Sequence, residues 1–234
     1  MSAIDQILRW LDLGGIAVFA VSGALVASRK QLDAAGFVVV AAVTGMGGGT
    51  LRELLLGSGG PVFWLRAPEH LAVCAGAALG VFFTAHLVES RFRVLLWADA
   101  VGLALFAVAG TEAALLAGAD PWAAALLGVV SACFGGIVRD VVCGEVPLVL
   151  RREIYLTAAG AGAAAFAALR VEGVPREAAM PAGVAVALGI RSLALLRGWS
   201  LPAYRARPGR DYPDPAAAAA ARLSDPGGAS DGGA

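Results

Sequence analysis

The chain repeats itself at a fixed distance. Residues 44–57 read TGMGGGTLRELLLG and residues 131–144 read SACFGGIVRDVVCG, so an offset of 87 residues superimposes their glycines and arginines. The same offset aligns residues 12–57 with residues 99–144, with 14 identities in 46 pairs. A composition this rich in Ala, Gly, Val and Leu would give roughly four or five identities by chance. The chain therefore contains a duplicated unit, which constrains the architecture before any single element is assigned.

Composition identifies the solvent in which this unit folds. Hydrophobic residues make up 59% of the chain and charged residues 15%, against about 25% charged residues in an average soluble domain. Seven apolar segments stand out, at about 10–28, 34–57, 69–88, 99–118, 121–144, 153–170 and 181–199. About 20 apolar residues suffice for a helix to cross a bilayer. The sequence therefore predicts an all-α membrane protein with seven transmembrane helices.

The number of segments in each unit has a topological consequence. Three segments fall in each unit and the seventh stands alone, so the second copy must enter the membrane from the opposite side, as an inverted repeat. From Pro202 onward the apolar periodicity ends, which is typical of a disordered segment. We therefore predict a first three-helix repeat over residues 8–95, a second, inverted repeat over 96–172, a seventh helix over 178–200 and a disordered cytoplasmic tail over 202–234.

Basic residues predict the orientation in the membrane. One side carries ten of them: Arg29, Lys30, Arg91, Arg93, Arg151, Arg152, Arg197, Arg205, Arg207 and Arg210. The other side carries four: Arg9, Arg66, Arg170 and Arg176. Because the side richer in Lys and Arg stays in the cytoplasm, we expect the N-terminus outside and the C-terminus inside an inner (plasma) membrane.

The second and fifth segments each contain adjacent glycines, Gly47, Gly48 and Gly49 in one and Gly135 and Gly136 in the other. Each glycine costs a helix roughly 1 kcal/mol relative to alanine, so both helices are predicted to bend or break there. Discontinuous helices at matching places in inverted halves are typical of a permeation or substrate site. The alternative is that the glycines only allow helices to pack closely.

A basic and an acidic residue follow each glycine motif: Arg52 and Glu53, then Arg139 and Asp140. A charge within the membrane costs at least about 2.5–3.5 kcal/mol, so each suggests function. Adjacent residues on a helix do not face each other, so we expect crossed pairs, Arg52 with Asp140 and Arg139 with Glu53. Such pairs either line a pore or lock the two helices together.

The remaining acidic residues of the apolar segments carry less weight. Asp33 and Asp120 precede the second and fifth segments, while Asp12 and Asp99 open the first and fourth. All four are predicted to be helix N-caps, whose side chains accept hydrogen bonds from free backbone amides. Glu112 lies within the fourth segment, where it either faces a vestibule or packs between helices.

Several classes of function find no support. The net charge is zero, so no nucleic-acid partner is expected. The three cysteines and two histidines match no metal-ligand spacing. The GMGGGT stretch lies in no βαβ unit, and no P-loop or catalytic triad is present. We therefore expect neither a metal, nor a cofactor, nor an enzyme.

Three stretches resemble a known family: GGGTLRELLLG, FGGIVRDVVCGEVPLVLRREIY and, near the end of the seventh segment, IRSLALLRGWSLP. The resemblance is to the bacterial branch of the trimeric intracellular cation channel family, also labelled a glycine-transporter domain family, and it covers about residues 8–203. It implies two inverted three-helix repeats plus a seventh helix, and a homotrimer with one pore in each protomer. Kinked second and fifth helices would line that pore, with the bends at the glycines named above.

The resemblance also implies the cargo, a monovalent cation, chiefly K⁺. The chain departs from the family pattern at Glu53, where aspartate is common, and at Phe134, which replaces the first glycine of the second motif. We therefore expect a passive K⁺-permeable channel in the bilayer. Inverted repeats are equally typical of a secondary transporter for a small zwitterion such as glycine, and the sequence does not separate the two.

Overall fold

The computed structural model describes residues 3–57, 59–88, 90–151 and 153–202, which are mostly helical. The helices are α1 (Ala3–Arg29), α2 (Ala34–Leu56), α3 (Phe63–Arg66), α4 (Glu69–Thr84), α5 (Arg91–Leu116), α6 (Pro121–Val142), α7 (Leu156–Val171) and α8 (Arg176–Arg197). Two 3₁₀ turns, Ala85–Leu87 and Leu148–Leu150, follow α4 and α6. The predicted tail lies outside the described residues, apart from Pro202.

The helices have the lengths that a bilayer requires. Six spans within the described part of the chain are long and apolar enough to cross a membrane: α1, α2, α4 together with the 3₁₀ turn that follows it (Glu69–Leu87), α5, α6 and α8. α7 is apolar but shorter, at 16 residues. The prediction of an all-helical membrane fold is confirmed. The short helix α3 between α2 and α4 was not predicted, because four residues are too few to show a periodicity.

The predicted caps of α2 and α6 are confirmed. The Asp33 carboxylate accepts a hydrogen bond from the Gly36 amide at 2.7 Å, and the Asp120 carboxylate accepts one from the Trp122 amide at 3.0 Å. α2 ends at Gly57, whose φ of 62° lies in the left-handed region that glycine adopts without strain. Both copies of the repeat thus start their second helix in the same way.

The predicted caps of the other two segments are wrong. Asp12 and Asp99 lie inside α1 and α5, because these helices begin at Ala3 and Arg91, well ahead of the apolar segments. In α5 the cap is Ser90, whose hydroxyl accepts from the Arg93 amide at 3.4 Å. Hydropathy locates the stretch suited to lipid, whereas the backbone hydrogen bonds of a helix continue past that boundary. Both aspartates are therefore available for contacts between helices.

Four helices form the core, because α1, α2, α5 and α6 pack on one another. α4 packs on α1 and α2, and α7 packs in the equivalent way on α5 and α6. α8 packs on α5 and α7 and has no counterpart in the first copy of the repeat. Small residues let these helices approach closely, as is usual within membranes.

Equivalent residues of the two copies make reciprocal contacts. A Cβ atom built on Gly15 would lie 2.9 Å from the Phe106 ring, and one built on Gly102 would lie 2.7 Å from the Phe19 ring. The two rings stack with their centroids 5.3 Å apart. Adding 87 to Gly15 gives Gly102, and subtracting 87 from Phe106 gives Phe19. The two contacts are therefore the same contact with the copies exchanged, which is what a two-fold relation between the copies produces. α1 and α5 are therefore antiparallel neighbours.

The glycine motifs make a second reciprocal contact, between α2 and α6. A Cβ on Gly48 would overlap the carbonyl oxygen of Ser131, and a Cβ on Gly135 would overlap that of Thr44. As the residue number rises by four on one helix, it falls by four on the other, so these helices are also antiparallel. The glycines allow this close approach.

Both helices continue through the glycines without interruption, so neither helix breaks there, and the predicted bend stays a prediction. The intrinsic cost of glycine, roughly 1 kcal/mol each, is outweighed here because the bare backbones pack directly on each other. The glycines thus allow close packing, which the sequence left open as their role, and close packing is compatible with a bend at the same residues.

Candidate functional site

Arg139, in the last turn of α6, is fully buried between helices. Its Nη1 atom donates to Asp99 Oδ1 at 2.7 Å and also to the Ser22 hydroxyl, and its Nε atom donates to Asp140 Oδ1 at 2.8 Å. Ser22 is contributed by α1 and Asp99 by α5. Two carboxylates surround a single guanidinium, so this Arg139 cluster (Ser22, Asp99, Arg139 and Asp140) carries one net negative charge when all of its groups are ionised.

The Arg139 cluster also fixes the connection after α6. The second oxygen of Asp140, Oδ2, accepts a hydrogen bond from the Leu148 amide at 2.9 Å. Asp140 is thus bonded to its neighbour Arg139 and to the 3₁₀ turn at once. Because hydrogen bonds to an ionised group are stronger than neutral ones, the helix end and the loop are held as one unit.

Three polar atoms in this region have no hydrogen-bond partner among the described residues. They are Asp99 Oδ2, Arg139 Nη2 and Ser131 Oγ, and all three are buried. A buried polar atom without a partner is costly, at roughly 2–7 kcal/mol in an apolar environment. Water or an ion is therefore the natural partner for these atoms.

The equivalent arginine of the first copy has a looser setting. Arg52 Nη2 lies 3.8 Å from Asp12 Oδ1, and His70 Nε2 lies 3.7 Å from Asp12 Oδ2. The side chains of Arg52 and Asp12 retain 14% and 24% of their exposure. Neither distance is short enough for a hydrogen bond. We call Asp12, Arg52 and His70 the Arg52 cluster.

Glu53, like its equivalent Asp140, accepts a hydrogen bond from a backbone amide of the short helix that follows, but its arginine partner is different. One of its oxygens pairs with Arg66, and the other accepts a hydrogen bond from the Phe63 amide at 2.6 Å. Both partners belong to α3, which follows α2 as the 3₁₀ turn Leu148–Leu150 follows α6. Glu53 therefore attaches α3 to the end of α2.

The prediction of crossed pairs is wrong, since the described residues include neither a pair of Arg52 with Asp140 nor one of Arg139 with Glu53. The reason is the antiparallel packing of α2 and α6. Their contact places Gly48 beside Ser131, so Arg52 and Asp140 lie toward opposite ends of the helix pair. At a rise of 1.5 Å per residue they are separated by roughly 20 Å.

In the structure each copy pairs its own aspartate with its own arginine: Asp12 with Arg52, and Asp99 with Arg139. Both members of the second pair lie 87 residues after their equivalents in the first. The sequence held a usable signal, because all four residues are duplicated together. The interpretation of the aspartates as caps concealed it. Arg139 and Asp140 do pair although they are adjacent, since the long arginine side chain folds back on its neighbour.

Glu112 in α5 is 2% exposed and lies between two arginines. Its carboxylate oxygens stand 3.4 Å from Arg176 Nε and 3.6 Å from Arg170 Nε, and neither oxygen has a hydrogen-bond partner among the described residues. Glu112 thus joins α5 to the ends of α7 and α8. Sequence reasoning did not find these partners, which lie some 60 residues away and match no local pattern.

The fold and these clusters define a helical membrane protein whose long apolar helices enclose paired charges. The chain belongs to the family described as Glycine transporter, whose sequence model matches residues 9–86 and again residues 96–170. The resemblance stated from the motifs is confirmed.

The fold is similar to the folds of solved cation channels. The fold is similar to the TRIC trimeric intracellular cation channel orthologue from Rhodobacter sphaeroides, with 54% identity and a TM-score of 0.80 over 82% of this chain and 99% of that one. A second TRIC cation channel is 31% identical, with a TM-score of 0.76 over 86% of this chain and 98% of that one. The UPF0126 inner membrane protein YadS of Escherichia coli is 40% identical over 85% of this chain and 97% of its own length.

Proposed function

We propose that this protein is a passive, K⁺-permeable cation channel of the inner membrane, with one conduction path in each protomer of a homotrimer. The observation that carries the proposal is its 54% identity to a trimeric cation channel of the same fold, almost all of which the chain covers. At this identity, fold and assembly are ordinarily shared. The seven apolar helices are assigned as two inverted three-helix repeats plus α8, with bends at the glycines of α2 and α6.

A row of buried polar groups between the four core helices supports a path through the protomer. Ser22, Thr44 and Ser131 are fully buried at the interfaces of α1, α2, α5 and α6, and the row leads to Asp99 and Arg139. Partnerless polar atoms along it require water or an ion, because a bilayer core supplies no hydrogen bonds.

The charge of the Arg139 cluster favours a cation. An arginine beside a permeation path repels cations unless carboxylates neutralise it. Asp99 and Asp140 both accept hydrogen bonds from the Arg139 guanidinium. Because two carboxylates face one guanidinium, they more than neutralise its charge when all three groups are ionised. The free oxygen of Asp99 would then attract a monovalent cation in a region of low dielectric constant.

Proteoliposomes test the proposed function directly. Purified protein should give K⁺ flux that follows the applied potential, does not saturate and is unaffected by glycine. The sharper variant is Asp99→Asn, which keeps the shape but removes a charge, so the permeability ratio of K⁺ to Cl⁻ should fall at least threefold. Asp33→Asn, at an exposed cap, is the matched control. Absent K⁺ flux in the wild-type protein would overturn the proposal.

A transporter of glycine is the second candidate, and the description of the matching family as Glycine transporter favours it. Labelled glycine separates the two candidates in the same vesicles. Saturable, stereoselective uptake of small amino acids with negligible K⁺ leak would establish the transporter. Ohmic, cation-selective current without uptake would establish the channel.

The orientation is also a proposal, with the N-terminus outside and the C-terminus in the cytoplasm. Two loops of the predicted cytoplasmic side meet at Glu145, whose carboxylate lies 3.3 Å from Arg29, 3.6 Å from Lys30 and 3.9 Å from Arg151. These basic loops therefore lie at one end of the protein, as the positive-inside rule requires. A green fluorescent protein fused to the C-terminus should fluoresce, whereas a periplasmic alkaline phosphatase fusion there should be inactive. The reverse result would invert the topology.

A further inference from the structure

α8 has no counterpart in the first copy of the repeat, yet one of its side chains organises the segment beside the Arg139 cluster. Arg191 in α8 is 1% exposed. Its Nη2 atom donates to Glu153 Oε2 at 2.5 Å and its Nη1 atom donates to the Ile154 carbonyl at 3.2 Å. Its Cζ atom lies 5.3 Å from the centroid of the Tyr155 ring. A single guanidinium thus holds the three consecutive residues that lead into α7.

The other end of Tyr155 reaches the Arg139 cluster. Tyr155 is 2% exposed, and its hydroxyl lies against Gly136 of α6. A Cβ built on Gly136 would be 3.2 Å from that hydroxyl, 3.4 Å from Asp99 Oδ1 and 3.6 Å from Arg139 Nη2. Three polar atoms therefore gather around one residue that has no side chain. The absence of a side chain at Gly136 leaves the space that the tyrosine hydroxyl needs.

The first copy of the repeat has no such arrangement. The offset of 87 residues places Pro68 opposite Tyr155, so no phenolic hydroxyl is available at the corresponding point. α8 follows the second copy alone, and Arg191 therefore has no equivalent. The contact from Arg191 through Tyr155 is specific to one half of the protein, the half with the buried, net negative cluster.

We propose that Arg191 is a positioning residue for ion conduction, and that it acts by fixing the Tyr155 hydroxyl beside Asp99. The hydroxyl oxygen replaces part of the hydration shell of a cation that passes Asp99, as backbone and side-chain oxygens do in selective pores. Arginine suits this position because its planar fork donates to two acceptors while its face stacks on an aromatic ring. Lysine has one point charge and cannot do both. This inference rests on the proposed channel function.

Single-channel recording in planar bilayers with KCl on both sides tests the inference. The variants are Tyr155→Phe, which removes only the hydroxyl, Arg191→Lys, which keeps the charge, and the double variant. We expect unitary conductance to fall at least threefold in each single variant, and the double variant to be no worse than the poorer single one. Arg197→Lys, the same exchange at an exposed position of α8, should conduct as the wild-type protein does.

Unitary conductance separates positioning from a general structural role. A variant that merely folds poorly yields fewer channels, each with normal conductance. Normal unitary conductance in Tyr155→Phe beside a conducting wild-type protein would overturn the inference and leave the channel function intact. An additive loss in the double variant would also overturn it. If Arg191→Lys does not assemble, Glu153→Gln, which weakens the hold of Arg191 on this segment, decides in its place. A wild-type protein without current would overturn the channel function itself.

Discussion

The two copies of the repeat use the same Asp–Arg pair in opposite ways. In the second copy, Arg139 and Asp99 are buried completely and 2.7 Å apart. In the first copy, Arg52 and Asp12 keep part of their exposure and stand 3.8 Å apart. Duplication kept the residues, while their surroundings diverged. The second pair has acquired Asp140 as a further hydrogen-bonding carboxylate, whereas the first has His70 nearby.

This difference makes the two ends of the helix pair α2 and α6 unlike in their charged groups. Two identical halves would give the same charge environment at both ends of the molecule. Here one end has a tight cluster that is net negative when its groups are ionised, and the other a looser group whose side chains keep part of their exposure. The same residue types thus form a close, buried ion pair on one side and a longer, partly exposed ion pair on the other, and burial strengthens the attraction between the charges.

The largest expected effect comes from breaking the buried pair. Arg139→Ala leaves two buried carboxylates without their partner, and removing one member of a buried pair typically costs about 3–5 kcal/mol of stability. Arg52→Ala removes a partly exposed pair, for which about 0–1 kcal/mol is usual. Denaturation of each variant in detergent, with the free energy of unfolding compared with the wild-type value, measures both.

Equal losses of stability in Arg52→Ala and Arg139→Ala would contradict the proposed difference between the two copies. If Arg52→Ala destabilises the protein as much as Arg139→Ala, the two clusters are energetically equivalent and the difference in burial has no consequence. Arg139→Lys sharpens the test, because lysine retains the charge but cannot donate to Asp99, Asp140 and Ser22 in the planar geometry of arginine. We expect this variant to recover only part of the loss.

Sequence reasoning found the fold because its signals were repeated. The three apolar segments of each unit and the caps Asp33 and Asp120 depend on local chemistry, and they occur in both copies. The arrangement of the charges depends instead on how the copies face each other. Once the repeat is taken as inverted, equivalent residues such as Arg52 and Arg139 must lie toward opposite ends, which excludes the crossed pairs.

The site was therefore predictable in part. Arg139 and Asp140 were identified by their position after the glycines, whereas Ser22 and Tyr155 were not, because a lone serine or tyrosine in an apolar segment resembles many others. Packing overrode the helix propensity of the glycines, so the predicted break did not occur. The residues that surround a glycine in the sequence do not show which helix will pack against it.

The second prediction concerns the glycine contact, where the two copies should behave alike. Gly48→Ala and Gly135→Ala each place a methyl group on a carbonyl oxygen of the facing helix, and overpacking of this kind typically costs about 1–3 kcal/mol. The matched control is Gly47→Ala, whose Cβ would lie 3.5 Å from Gly135 Cα in ordinary contact. Because alanine favours a helix over glycine, the control should be neutral or stabilising.

The unfolding free energies of these three variants decide whether the contact is reciprocal. Equal losses for Gly48→Ala and Gly135→Ala support a two-fold relation at this point. A loss confined to one of them would show that the α2 and α6 backbones can separate on one side only. The difference between the copies would then extend from the charges to the packing of the helices.

The smallest expected effect concerns the caps, which sharpen the comparison because they are the same in both copies. Asp33→Ala and Asp120→Ala each remove a carboxylate that accepts a hydrogen bond from a free amide at a helix start, and the loss of such a cap costs about 1 kcal/mol. Asparagine keeps an acceptor oxygen, so Asp33→Asn and Asp120→Asn should restore most of that stability. The measurement is again the free energy of unfolding in detergent. A loss above about 3 kcal/mol for one alanine variant alone would assign that aspartate a contact beyond its own helix, and the two copies would then differ at their caps as they do at Arg52 and Arg139.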